Sequence, residues 1–75
     1  MRTRNEIAAD EVARLRFVAE RDGYEKMLEF ANRSKQQYKK AMRTPMKNMF
    51  RQQLLVSIIV FKNVLLLDKG NHHAM

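Results

Sequence analysis

LLVSIIVF, Leu54–Phe61, is the stretch whose reading decides the fold, and Val64–Leu67 extends it. Seven of its eight residues are apolar, and the first charge after it is Lys62. In a chain of 75 residues it must be the centre of the core. Thr44-Pro45 before it and Gly70 after it frame a helix of ordinary length. Within that frame Met46, Met49, Phe50, Leu54, Leu55, Val56, Ile58, Ile59, Val60, Phe61, Val64, Leu65, Leu66 and Leu67 surround most of the helix. A helix apolar nearly all round must be covered on nearly all sides. One hairpin partner covers one side; the rest needs the N-terminal segment, a second copy of the chain, or both. The rival reading is β, since five of these residues are β-branched and Lys62-Asn63 could turn between strands. The helix frame outweighs it. A membrane span is also disfavoured: it takes about 20 apolar residues, and Lys62-Asn63 interrupts this run.

Arg43-Thr44-Pro45 is the clearest boundary. Pro disfavours helix in the residue before it and suits the first helical position, and Thr is a good N-cap. One helix is therefore expected to end near Met42 and the next to start at Pro45. So short a link makes an antiparallel hairpin turning at 43–45. The last helix is expected to stop at Asp68 or Lys69, with Gly70 in the left-handed terminating position and residues 70–75 as a flexible tail.

Upstream, Thr3-Arg-Asn-Glu6 reads as a capping box. Ile7, Ala8, Val12, Leu15, Val18 and Ala19 then recur at helical spacing, predicting an amphipathic helix over 4–21. A second stripe, Tyr24, Met27, Leu28, Ala31, Tyr38, Ala41 and Met42, is rotated by roughly 130° from the first. The first arm should therefore bend or break near Gly23, although Arg21/Glu25 and Glu29/Arg33 pairs would support one long helix. The fold class is all-α, two or three helices in a single small domain over 1–75. A domain this size buries only about 60% of its unfolded surface. With no Cys to staple it, association into a dimeric helical bundle is the expected support. Leu54, Ile58, Phe61 and Leu65 are the candidate dimer core.

The net charge of +7 is unevenly spread. Residues 1–29 carry six basic and seven acidic groups, whereas residues 30–67 carry eight basic groups and no acid. Arg33, Lys35, Lys39, Lys40, Arg43, Lys47 and Arg51 gather toward the hairpin end as candidate partner- or phosphate-binding residues. Lys47, Arg51 and Lys62 fall within about 60° on one side of the last helix. The free N–H groups at Pro45–Lys47 would add an anion seat. The bland alternative is a solvated face that keeps a small apolar protein soluble. A helix-turn-helix reader is excluded, because the helix after the turn is the most apolar in the chain. Any nucleic-acid contact would be electrostatic and sequence-blind.

No Ser/His/Asp arrangement, Gly-rich phosphate loop or metal-ligand spacing is present. The chain therefore reads as non-enzymatic, with no catalytic residue, metal or cofactor. His72-His73 has no third ligand nearby. Tyr24 and Tyr38 read as boundary core, the Met residues around the turn as flexible filling, and the N-terminal carboxylates as members of salt-bridged helix faces.

RLRFVAERDGYEKM (residues 14–27) followed by KKAMRTPMKNMF (residues 39–50), in a short, basic, helix-rich chain, resembles the small accessory proteins of temperate phages and mobile elements. The resemblance implies a helical hairpin that dimerises and binds a host protein. The expectations are a cytoplasmic regulator or adaptor with itself and an acidic protein as partners. Nucleic acid is the alternative partner, and a membrane surface is the least favoured.

Overall fold

Thr3 starts the first helix as the capping box predicts. Its backbone is extended, its hydroxyl accepts from the Glu6 N–H at 3.1 Å, and its own N–H donates to Glu6 Oε1 at 3.4 Å. The computed structural model, which describes residues 2–73, continues from there into three helices: α1 (Arg4–Asp22), α2 (Tyr24–Ala41) and α3 (Asn48–His73). No strand occurs among the described residues, so the fold is all-α.

The first arm breaks at one residue. Gly23 has φ 97° and ψ 164°, a combination that essentially only glycine adopts. Its N–H donates to Ala19 O at 2.9 Å and its O accepts from Met27 N at 3.1 Å. One glycine thus closes α1 and opens α2. A Cβ added there would meet nothing within 4 Å, so the demand for glycine is torsional rather than steric.

The second connection differs from its sequence reading. Thr44 does not cap α3. Its Oγ1 donates back to Ala41 O at 2.6 Å and its N–H to the same oxygen at 3.0 Å. From across the turn, Arg51 donates to Met42 O at 3.0 Å and to Thr44 O at 3.5 Å. These donors satisfy the open carbonyls at the end of α2. Pro45 stays in an irregular link, and the first intrahelical bond of α3 runs from Arg51 N to Lys47 O. At the other end, α3 passes through Gly70 to His73 rather than stopping at Gly70, whose φ is not positive. Glycine inside a helix costs about 1 kcal/mol against alanine, which this helix carries. The tail expectation for residues 74 and 75 lies outside the described residues.

All three helices touch one another. α1 runs beside α3 in the same direction: Arg4 donates to Gln52 at 3.3 Å, and one turn and more further along Ser57 donates to Glu11 at 3.0 Å. α2 runs the opposite way, with Tyr24 OH donating to Asp68 at 3.2 Å and Tyr38 against Phe61. The hairpin of α2 and α3 is therefore antiparallel. Leu15 and Val18 from α1, Met27 and Ala31 from α2, and Phe61 from α3 form the core. Phe61 is its hub, fully buried, with the Phe30 ring edge-on at 6.5 Å and the Tyr38 ring at 5.6 Å. Each such aromatic pair adds about 0.5–1.5 kcal/mol beyond its buried area.

Candidate functional site

Of the seven cations expected at the hairpin end, the structure gathers four around the turn. Lys39 and Lys40 sit in the last turn of α2, Arg43 in the link, and Lys47 at the N-terminal edge of α3, all exposed. The other three have different surroundings. Arg33 is exposed on α2 and lines a shallow cleft with Val18, Asp22, Glu29 and Phe30. Lys35 is half-buried beside Lys62, Leu65 and Lys69, between α2 and α3. Arg51 is spent on the carbonyls of Met42 and Thr44, which makes it a strut of the turn.

The expected anion seat at Pro45–Lys47 is not a helix N-terminus, because α3 begins at Asn48. The four remaining cations nevertheless form a strongly positive end. No acid lies in the first turn of α3. Among the described residues the ion pairs are Arg2–Asp10, Arg14–Glu11, Arg21–Asp22 and Lys26–Glu29, all within the first 29 residues. Lys39 and Lys40 do gain from the negative end of the α2 dipole, about 0.3–1 kcal/mol each.

The four residues expected as a dimer core face inward. Phe61 is 0% exposed and Ile58 9%, both within the protomer, and Leu54 and Leu65 are half-buried. The apolar helix has a second face that the protomer leaves open. Leu55, Ile59, Leu66 and Leu67 are 37%, 55%, 53% and 68% exposed, and Met49 continues them toward the turn. Spacings of four and seven place Leu55, Ile59 and Leu66 within about 40° on one side of α3, and Leu67 lies about 80° further round. Lys62 stands at the edge of this stripe and Asn63 within it. The segment Asn48–Gly70 is long and apolar enough to cross a membrane by length and composition, and the protomer leaves most of it unburied.

One polar contact was not legible beforehand. Glu11, read from the sequence as a member of a charged face, is buried at 7% exposure. Its Oε1 accepts from Ser57 Oγ, itself on a residue only 4% exposed, while Oε2 has no partner. The Arg14 guanidinium stands 4.0 Å from Oε1. The available signal was Ser57, the one polar residue inside LLVSIIVF: a buried hydroxyl requires a partner.

Tyr24 is half-exposed. Desolvation, then its hydrogen bond to Asp68 and the charge of that carboxylate, raise its pKa above the ordinary tyrosine value. The clefts between helices are open; one of 330 Å³ lies between Arg2, Arg4 and Ile7 and the start of α3. No group of three or more metal-ligating side chains occurs among the described residues. The side chains of His72 and His73 lie outside them.

Comparison with known protein families, with curated proteins and with solved structures finds no match to this chain.

Proposed function

We propose that this protein is a small, non-enzymatic regulator or adaptor that acts by protein–protein interaction. It works as a homodimer in the cytoplasm and grips an acidic protein surface with Lys39, Lys40, Arg43 and Lys47. The observation that carries the reading is the segregation of charge: these four exposed cations sit together, and no carboxylate among the described residues pairs with them. Unpaired cations at one end attract and orient an acidic partner more effectively than the same charges scattered among acids. The likeness in style to phage accessory proteins supports a phage-encoded role of this kind.

A tagged-protein pull-down, with and without nuclease, tests it. The expected result is one defined partner, retained after nuclease and lost on Lys39→Glu with Arg43→Glu. A partner that ignores the double charge reversal would remove the basic end from the function.

The same unpaired cations favour a second reading, sequence-blind nucleic-acid binding. It predicts capture that nuclease abolishes, and affinity that falls steeply with salt because bound counterions are released. No mobility shift with duplex or single strands at low salt would eliminate it.

A further inference from the structure

The protomer leaves uncovered much more surface than its mass calls for. A compact 8.9 kDa monomer is expected to expose about 4,800 Å², whereas this chain exposes 5942 Å². Its radius of gyration is 13.1 Å, against about 11.3 Å for a compact chain of this length. The excess of about 1,100 Å² goes with a molecule 42 Å long and 22 Å wide, in which α3 runs on past its contact with Tyr24 at Asp68, and it leaves room for the patch of about 800 Å² that one partner buries in a standard interface. The uncovered surface is also of the right chemistry along α3, where Leu55, Ile59, Leu66 and Leu67 stand open on one side of a 26-residue helix. An exposed apolar face of this extent, interrupted only at Lys62 and Asn63, marks a contact surface.

We infer that this outer face of α3 is where two copies of the chain join, α3 against α3 of the partner copy. The inference rests on the homodimer reading above and replaces the inward-facing residues Leu54, Ile58, Phe61 and Leu65 as the interface. Lys62 fits such a seam, since it stands at the stripe's edge and can hold its ammonium in water while its stem lies on the leucines. A membrane-spanning α3 fits less well. Lys62 and Asn63 lie well inside the apolar segment, and a lysine near the bilayer centre is costly. The self-contact also leaves the basic turns free, so the dimer carries two copies of the cationic end. Two linked ends bind a bivalent partner far more tightly than one.

Sedimentation velocity over a wide dilution series tests this with the full chain, Ile59→Lys and Leu66→Lys. The expected result is a wild-type dimer of twice 8.9 kDa and folded, helical monomers for both variants. Each substitution acts twice per dimer and should weaken association by about a hundredfold. Should the lysine variants lose helicity, Ile59→Ala with Leu66→Ala reads the same equilibrium. Weakened association supports the inference, and unchanged association overturns it. A wild-type dimer that survives every one of these changes would place the interface elsewhere and leave the homodimer reading standing. A wild-type monomer at every micromolar concentration would overturn both. A monomer that co-sediments with uncharged phosphatidylcholine vesicles, and no longer does so as Ile59→Lys, would assign the face to lipid and overturn the inference as well.

Discussion

Phe61 and Ile59 stand two positions apart on one helix and have opposite surroundings. Phe61 is fully buried between Phe30 and Tyr38, and Ile59 is 55% exposed. Two residues along an α-helix is a rotation of about 200°, enough to carry a side chain from the inner face to the outer one. Both residues are strongly apolar, and both belong to the same unbroken run. Hydrophobicity says that a side chain gains by leaving water, but not which surface receives it. The inner face is satisfied by α1 and α2, and the outer face has nothing within the protomer to meet.

The largest expected effect comes from removing the hub of the inner face. Phe61→Ala should cost about 3–5 kcal/mol, the transfer term plus the cavity left behind. In so small a domain that is most of the stability, and urea denaturation should show a protein largely unfolded in water. Ile59→Ala on the outer face should stay within about 0.5 kcal/mol in dilute solution. Its effect should grow with protein concentration if the outer face is paired. Equal losses for the two variants in dilute solution would erase the distinction between the faces.

The inner face depends on α1 being folded back onto it, and Gly23 makes that possible. Gly23→Ala forces an L-residue into φ 97°, ψ 164°, at a cost of about 1–3 kcal/mol. No neighbouring atom obstructs the added methyl, so a D-alanine placed there by chemical synthesis should restore stability. That pair of measurements separates torsion from crowding.

Ser57 sharpens the comparison further, as the polar member of the buried face. Ser57→Ala deletes the hydrogen bond to Glu11 Oε1 and leaves the buried carboxyl with neither oxygen hydrogen-bonded. The expected loss is about 1–2 kcal/mol. Ser57→Thr, which keeps the hydroxyl, should recover part of it. A loss unchanged by mutating Glu11 to Ala first would show that the contact is not what fixes α1 beside α3.

Much of the fold could be read from local chemistry. Thr3 and Glu6 announced the start of α1, and the rotation between two apolar stripes announced the break at Gly23, because both depend on residues a few positions apart. The second turn could not be read so. Thr44 and Pro45 are equally good at opening a helix, but Thr44 instead closes α2, helped by a donor from Arg51, seven residues away. Gly70 likewise has the right identity for a helix end and is passed over. The basic end is visible as charge, but charge alone does not show that two carbonyls occupy Arg51. The inner and outer faces of α3 were invisible for a different reason: in a helix apolar all round, no periodicity tells the face that meets α1 and α2 from the face that meets nothing.

The smallest expected effect lies where the inner face ends, at the hydrogen bond from Tyr24 to Asp68. Desolvation, the hydrogen bond and the carboxylate's charge all favour the protonated phenol, so the folded protein holds this proton more tightly than the unfolded chain does. The contribution is therefore fully present below the ordinary tyrosine value of 10.0 and is lost as pH rises through the raised folded value. Tyr24 is half-exposed, so solvent screens the contact and its loss should cost below about 1 kcal/mol. The measurement is a difference between wild type and Tyr24→Phe in urea denaturation, taken from neutral pH to beyond pH 10. The gap between the two curves should be flat at neutral pH and narrow as the solution turns alkaline. A gap that widened instead would mean that the phenol sits beside the carboxylate without donating to it, and that α2 and α3 are held at this end by packing alone.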